Sequence, residues 1–193
     1  MDTRERILKT ALDLLEQGGS LRMSDIARRA GVSRQALYLH FKSRAELLVE
    51  ATKFQDRLHD SDARLAPSRA AATGVERLDA FVTAWGAYLP RIRNAARTLL
   101  YLRETDDEAR AAWDQRMRDM REGCEAAVLA LARDGDLAPG LEPEQATDLL
   151  WTILSYRTWE HLTADCGWTE EQAAEGLLTM ARGVLLNTDA SRA

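Results

Sequence analysis

Cysteine, proline and long apolar runs are scarce in this chain of 193 residues, which contains two cysteines and four prolines. With only Cys124 and Cys166, no disulfide framework is expected, and a reducing compartment such as the cytoplasm is the simplest location. The longest apolar run, 126–132, is far shorter than the roughly 18–20 residues that span a bilayer. The sequence therefore argues against a disulfide-stapled domain and against a membrane-spanning protein, and no membrane partner is expected.

The usual signatures of catalysis and of metal binding are also missing from the sequence. The three histidines (His40, His59 and His161) are scattered without metal-ligand spacing. The sequence has neither a glycine-rich phosphate loop nor a nucleophile elbow. We therefore expect no metal, no cofactor and no enzymatic activity.

Positive charge is concentrated in one short segment of an otherwise acidic chain. The 26 Lys and Arg residues and the 31 Asp and Glu residues give a net charge of −5. Between Arg22 and Arg44, however, six basic residues accompany one acidic residue, a local charge of +5, so the remainder of the chain carries −10. A basic patch on an acidic body indicates a localised polyanionic partner.

Helical periodicity dominates the sequence, and no run of alternating β-branched residues marks a strand. An apolar stripe that begins at Ile7 ends at Gly18-Gly19, and Ser33 is a suitable N-cap for a helix reaching His40. The other predicted helices cover about 23–30, 43–65 (opened by a capping box at 43–46), 75–90, 92–104, 106–134, 143–165 and 169–188. We therefore expect an all-α fold of about nine helices, with a three-helix domain at 1–47 and a larger antiparallel helical domain at 48–193.

The segment 24–41, Ser-Asp-Ile-Ala-Arg-Arg-Ala-Gly-Val-Ser-Arg-Gln-Ala-Leu-Tyr-Leu-His-Phe, has the layout of a helix-turn-helix. Gly31 suits the turn between two short helices, and Val32 and Leu37 suit their shared core. The second helix then exposes four polar or aromatic residues: Arg34, Gln35, Tyr38 and His40. Arg and Gln fit the edges of guanine and adenine in the major groove, whereas Tyr and Lys hold phosphates.

This segment resembles the N-terminal domain of the TetR family of transcriptional regulators, whose pattern is close to Ile-Ala-x-x-Ala-Gly-Val-Ser-x-x-x-Leu-Tyr-x-His-Phe. The pattern is matched at Ile26–Ser33 and Leu37–Phe41. The resemblance implies that DNA is bound by Arg22, Ser33, Arg34, Gln35, Tyr38, His40, Lys42 and Arg44. Arg22 stands where the family often has a threonine that caps the second helix, so it is expected to bind a phosphate without capping. The alternative is an ordinary helical hairpin whose arginines are merely solvated.

Two apolar helices near the C-terminus are candidates for a subunit interface. The segment Pro143–Leu162 is apolar around most of its circumference, and the following helix carries a second apolar stripe. The resemblance implies that these helices pair with their copies in a second subunit to form a four-helix bundle. The candidate interface residues are Leu149, Ile153, Tyr156, Leu177, Met180, Ala181 and Val184. Burial in the core of a monomer is the alternative.

Aromatic residues and methionines on the long helices are candidates for a ligand cavity. Large rings with a polar edge and adaptable methionines suit a hydrophobic or aromatic compound. These candidates are Trp85, Tyr88, Trp113, Met117, Met120, Trp151 and Trp159. Polar contacts could come from Arg97, Glu104, Arg157, Glu160 or His161. Each of these residues suits an ordinary core or surface position equally well, and Cys124 is expected in the core.

Together these features predict a dimeric, ligand-responsive transcriptional regulator, most often a repressor in this family. Its partners would be a pseudo-palindromic double-stranded operator, a second copy of the chain and a small-molecule effector that releases the DNA. The first alternative is an activator or a ligand-insensitive regulator of the same fold. A helical enzyme and a pure interaction protein are alternatives from other classes. Loss of DNA binding on mutation of Arg34 and Tyr38 would distinguish a DNA-binding regulator from a pure interaction protein.

Overall fold

The computed structural model describes residues 2–187, and most of these residues are helical. The helices are α1 (Thr3–Gln17), α2 (Met23–Arg29), α3 (Arg34–His40), α4 (Arg44–Leu58), α5 (Ser61–Ala70), α6 (Gly74–Gly86), α7 (Leu89–Leu102), α8 (Asp107–Asp134), α9 (Pro143–Ile153), α10 (Tyr156–Glu160), a π-helical turn (His161–Asp165) and α11 (Glu170–Leu185). Within the described residues the only β pairing is an isolated bridge between Leu137 and Leu186. The predicted all-α class is confirmed.

The chain divides into two compact units. One unit contains the residues up to Ser61 together with Ile92–Met117, and the other contains Asp62–Arg91 together with the residues from Arg118 onward. The predicted domain boundary between residues 47 and 48 stays a prediction, because the two compact units are defined by which residues pack together and not by which segments fold independently. The last residue of the predicted helix at 169–188 lies outside the described residues.

The core of the first unit forms around α1, which packs on α2 and α4. Its apolar stripe is buried as predicted, and the helix ends where Gly18 adopts a left-handed conformation (φ +64°). The apolar residues buried in this part of the unit are Ile7, Leu8, Ala11, Leu15, Ile26, Ala27, Leu37, Phe41, Leu47, Leu48 and Ala51. The helix-turn-helix therefore shares its core with its two flanking helices.

One predicted helix end near the middle of the chain is wrong. The fourth helix ends at Leu58 instead of about 65, because Asp60 takes a left-handed conformation (φ +49°) that interrupts the helix. A separate helix, α5, follows, and it contains Pro67 and ends three residues later. Pro90 occupies the first turn of α7, where a missing N–H removes no helical hydrogen bond.

The predicted helix at 143–165 is also interrupted, at Leu154-Ser155. Ser155 is extended (ψ 147°) and its Oγ accepts a hydrogen bond from Thr158 N (3.1 Å), so it caps a new helix, α10. The Leu154 carbonyl accepts a hydrogen bond from Trp85 Nε1 (2.9 Å), a side chain 69 residues away. The predicted starts of the helices on either side are confirmed: Pro143 occupies the first turn of α9, and Thr169 and Gln172 form a capping box on α11.

The second unit is built around α11, which packs on α6 and α9. The packing of the second unit also depends on a close approach between the start of α6 and the end of α8. An ideal Cβ on Gly74 would lie 2.6 Å from Leu131 N and 2.7 Å from the Ala130 carbonyl oxygen. Only glycine lets these two backbones come this close.

Candidate nucleic-acid interface

The turn between α2 and α3 is organised by Gly31. Its φ of +66° lies in the left-handed region, and an added Cβ would meet no atom within 4 Å, so backbone strain rather than space favours glycine here. Val32 N donates to Ala27 O (3.0 Å), and Ser33 Oγ accepts from Ala36 N (3.0 Å). Ser33 is thus the predicted N-cap, and these bonds set the direction in which α3 leaves the turn.

Helix α3 has one buried face and one broad exposed face. Leu37 and the following Phe41 are fully buried. The four predicted reading residues, Arg34, Gln35, Tyr38 and His40, are all exposed. The Arg34 guanidinium lies over the Tyr38 ring, 5.7 Å from its centroid, so each side chain restricts the other. The helix-turn-helix therefore presents the residues that were predicted to meet DNA.

At the start of α2, Arg22 takes the place of the threonine that the family often has, and the structure agrees with the prediction that it does not cap the helix. Arg22 occupies the N-cap position, is exposed, and makes no side-chain capping bond. The helix still begins at Met23, where Ser20 Oγ donates to the Asp25 carboxylate (2.6 Å) in place of a cap. Arg28 pairs with Asp25 (3.0 Å). Arg22 is thus an exposed cation beside the helix-turn-helix.

Lys42 and Arg44 differ sharply in their surroundings. Lys42 is exposed, and its backbone N donates to Glu46 Oε2 (2.7 Å). That contact corrects the predicted capping box: Ser43 Oγ accepts from Glu46 N (3.1 Å), but Glu46 reaches the amide of Lys42 and not that of Ser43. The ammonium group of Lys42 is carried on an exposed side chain next to α3.

Arg44 is instead engaged within the first unit. Its Nη2 lies 2.6 Å from Asp106 Oδ1, its Nε lies 3.0 Å from Glu108 Oε2, and only 19% of its side chain is exposed. Glu108 Oε1 also accepts hydrogen bonds from the backbone N of Arg44 (3.1 Å) and of Ala45 (3.4 Å). The carboxylates thus hold the start of α4, which argues against the phosphate-binding role predicted for Arg44.

The predicted ligand-binding residues lie in two different cores. Trp113 and Met117 belong to the first unit, whereas the second unit holds Trp85, Tyr88, Met120, Trp151 and Trp159. In the second unit, the Trp85 and Tyr88 rings meet edge to face at 5.8 Å. The indole Nε1 atoms of Trp151 and Trp159 are buried and have no hydrogen-bond partner among residues 2–187. The grouping of all seven residues around one ligand stays a prediction.

One polar side chain in this core was missed by the sequence analysis. The Arg64 guanidinium lies 3.7 Å from the centroid of the buried Tyr88 ring. A lone arginine within Ala63–Ala66 was the available signal, because a cation among small apolar residues on a helix is often held by an aromatic ring or an anion. Arg64 thus adds a cation–π contact to the aromatic core of the second unit.

The proposed polar ligand contacts are mostly engaged with nearby side chains. Arg97 lies over the Tyr101 ring (5.7 Å), Glu104 pairs with Arg103 (3.5 Å), and His161 Nδ1 lies 3.0 Å from Asp165 Oδ2. Tyr156 donates its hydroxyl hydrogen to Glu160 Oε1 (2.9 Å), and Arg157 is exposed. These residues therefore lie mainly at the surface, and their role as ligand contacts stays a prediction.

The two cysteines also differ in their surroundings. Cys124 is buried, as predicted, and burial raises the pKa of its thiol to about 12, whereas Cys166 is exposed. No cluster of three or more His, Cys, Asp or Glu side chains with metal-binding geometry is found among residues 2–187, and no helix in that range is long and apolar enough to cross a membrane.

The predicted interface residues separate into core and surface positions. Tyr156, Leu177 and Ala181 are buried within the chain itself, so they support the second unit's own core. Ile153 and Met180 are half-buried. Leu149 and Val184 are large apolar residues that remain exposed, at 40% and 41%.

An additional apolar surface lies beside Met180 on α11. A groove of about 410 Å³ is lined by Leu162, Trp168, Gln172, Glu175, Gly176, Thr179 and Met180. The half-exposed Trp168 ring lies against Gly176, where an added Cβ would come within 2.5 Å of the ring. Trp168 was not predicted as an interface residue, although a tryptophan in a polar loop is a signal of a contact surface.

Fold and site together define a helix-turn-helix protein with an all-α body. The sequence model of the family described as "Bacterial regulatory proteins, tetR family" matches residues 7–51. The chain is 45% identical over 51 residues to the HTH-type transcriptional regulator AcrR of Shigella flexneri, an alignment that covers 25% of this chain and 24% of that protein. The match lies in residues 7–51, and there the predicted resemblance to TetR-family regulators is confirmed; the alignment spans about a quarter of the curated relative's length.

Solved structures extend the similarity to the whole fold. A putative TetR-family regulator from Rhodococcus sp. superimposes with a TM-score of 0.75 at 20% identity, covering 95% of this chain and 98% of that one. The regulator FadR of Bacillus subtilis, solved in complex with stearoyl-CoA, gives a TM-score of 0.68 at 19% identity, covering 93% and 98%. At these identities the similarity establishes the fold alone.

Proposed function

We propose that this protein is a cytoplasmic transcriptional regulator, most simply a repressor, that binds a pseudo-palindromic DNA operator as a homodimer. The observation that carries the proposal is the exposed face of α3, which displays Arg34, Gln35 and Tyr38 inside the segment of local charge +5. A short helix with this composition suits the major groove, and the flanking cations suit phosphates. Because one such helix reads few base pairs, two copies spaced by about 34 Å are needed for selectivity.

The dimeric part of the proposal is supported by the exposed apolar residues of the second unit. Leu149, Trp168 and Val184 lie on or next to the two helices predicted to pair, and each is 40–42% exposed in the single chain. Exposed apolar side chains of this size cost free energy in water, and a second copy of the same surface would cover them.

Phosphate binding gives a direct test of the DNA proposal, with DNA sequences selected from a random pool. The logarithm of the association constant should fall linearly with the logarithm of salt concentration, with a slope of about −0.9 for each phosphate neutralised. Lys42→Ala in a dimer removes two cations, so the slope should become less negative by about 1.8. Arg44→Ala should leave the slope unchanged and lower the thermal unfolding temperature, because Arg44 binds Asp106 and Glu108.

Fluorescence anisotropy between about 50 and 200 mM salt measures these slopes. A wild-type slope near zero would contradict the DNA proposal itself. Equal slope changes in the two variants would instead show that Arg44 leaves its carboxylates to bind phosphate, and would overturn only that assignment.

We further propose that a hydrophobic or aromatic effector binds among the aromatic residues of the second unit and releases the DNA. Support comes from the buried Nε1 donors of Trp151 and Trp159, which a ligand oxygen would satisfy, and from the cation–π pair of Arg64 and Tyr88. Stearoyl-CoA in the structure of Bacillus subtilis FadR is consistent with a ligand of this kind.

Effector binding should be visible in the fluorescence of the five tryptophans. Screening acyl chains and aromatic compounds, we expect a bound compound to shift the emission spectrum and to lower DNA affinity by the same factor by which DNA lowers the affinity for the compound. Trp159→Phe removes one indole donor while keeping an aromatic ring, so it should lower the affinity for the compound and leave DNA affinity nearly unchanged. A compound that binds equally well to the free and DNA-bound protein would contradict the regulatory proposal.

A further inference from the structure

Leu39 is the most exposed large apolar side chain of the described residues, and it lies in the middle of the candidate reading surface. Its side chain is 82% exposed, about twice the value for the neighbouring Tyr38 (42%). An isolated exposed leucine needs no explanation by itself. Leu39, however, lies on α3, between residues whose exposed side chains are otherwise polar or charged.

The helical periodicity places Leu39 opposite the buried face of α3. At 100° per residue, Leu39 lies about 200° around the helix from Leu37, which is fully buried. It also lies one turn after Gln35, on the same face. The other exposed pair, Arg34 and Tyr38, forms a second row about 100° away and is joined by the cation–π contact. The outer surface of α3 therefore has two rows, one of Arg34 and Tyr38 and one of Gln35 and Leu39.

The chemistry of the second row matches one base pair type. A glutamine amide can pair with N7 and N6 of adenine, and an apolar side chain contacts the 5-methyl group of thymine. Only A·T pairs display the combination of N7 with an N6 amino group, and the 5-methyl group, in the major groove. The row of Gln35 and Leu39 thus fits neighbouring A·T and T·A pairs, whereas Arg34 fits guanine.

We propose that Leu39 is a specificity-determining residue that selects thymine at one position of each DNA half-site by packing on its 5-methyl group. This inference rests on the proposed DNA-binding function. The occupant is double-stranded DNA and not another protein surface, because the exposed leucine lies within the segment of local charge +5 and on the face of α3 opposite buried Leu37.

Replacing thymine with deoxyuracil tests the proposal, because it removes only the methyl group and keeps the base pair. Sites are first selected from random DNA with the wild-type protein. Each thymine of the half-site is then replaced in turn, and affinities are measured for wild type and Leu39→Ala. At one position, uracil should weaken wild-type binding about fourfold per half-site, the value of one buried methyl group, and should have no effect on Leu39→Ala.

The controls separate this role from general damage. Leu39 is largely exposed, so Leu39→Ala should unfold at the wild-type temperature and keep the wild-type salt slope. Gln35→Ala should relax the preference at a neighbouring pair and retain the discrimination between thymine and uracil. Arg34→Ala should relax a different position, a guanine.

The outcomes distinguish the two proposals. Binding of wild-type protein that is equally tight with thymine and uracil at every position would overturn the role of Leu39 while leaving DNA binding intact. The same would follow if Leu39→Ala kept the wild-type discrimination, or if the selected half-site held no thymine. No sequence-selective binding at any salt concentration would overturn the proposed function and the role of Leu39 together.

Discussion

Val184→Asp is expected to make the protein monomeric and to lower its affinity for a two-half-site operator by about 100-fold or more. Val184 is exposed on α11 in the single chain, and the proposed second copy would bury it. A carboxylate buried there without a partner costs about 3 kcal/mol or more, which corresponds to about a 100-fold loss in dimerisation. Operator affinity falls with it, because each half-site then binds separately.

Light scattering at micromolar concentration and binding to a two-half-site DNA measure the two effects. Leu129→Asp is the matched control, since Leu129 is another exposed apolar residue of the second unit but lies on α8. The control should remain dimeric. Thermal unfolding of both variants should show that the helical content is retained. A monomeric wild type, or a Val184→Asp variant that remains dimeric, would remove α11 from the interface.

Gly74→Ala is expected to destabilise the second unit by about 3 kcal/mol, an overpacking cost at the upper end of the usual range. The added Cβ would lie 2.6–2.7 Å from backbone atoms of Ala130 and Leu131, and backbone cannot rotate away as a side chain can. The change would also disturb the hydrogen bond from Gly74 N to Asp134 Oδ2 (2.6 Å). A loss of this size lowers the unfolding temperature by about 6–12 °C.

Circular dichroism during heating measures this shift. Thr83→Ala is the control, because Thr83 is exposed on the same helix and its replacement should change the unfolding temperature little. Below the unfolding transition, Gly74→Ala should bind DNA as the wild type does. An unfolding temperature within about 2 °C of the wild-type value would contradict the close approach of α6 and α8.

Much of the helix-turn-helix could be predicted because its signals are local. Ser33 caps a helix that begins at the next residue, and Gly31 takes the positive φ that was expected from its position in the turn. The period of 3.6 residues likewise separates buried Leu37 from exposed Gln35. The same period places Leu39 on the exposed face, so the sequence contains the signal for the role proposed for it.

Other features could not be predicted because they depend on residues far apart in the chain. The place of Arg44 after the motif predicts that it binds a phosphate, but it pairs with Asp106 and Glu108, which lie more than 60 residues away in the sequence. The apolar stripe of α11 predicted an interface, yet packing on α6 and α9 buries Leu177 and leaves Val184 exposed. Periodicity identifies an apolar face but not the element that covers it.

The sequence by itself therefore determined the all-α class, the helix-turn-helix and the residues on its outer face, because caps, turns and helical period act over a few neighbouring positions. Tertiary structure decided which cations remain available to the proposed DNA partner and which apolar residues remain available to the proposed second copy. Those outcomes depend on long-range pairing and burial. A cation that pairs with a carboxylate, or a leucine that is buried in the core, is no longer accessible to solvent or to another molecule.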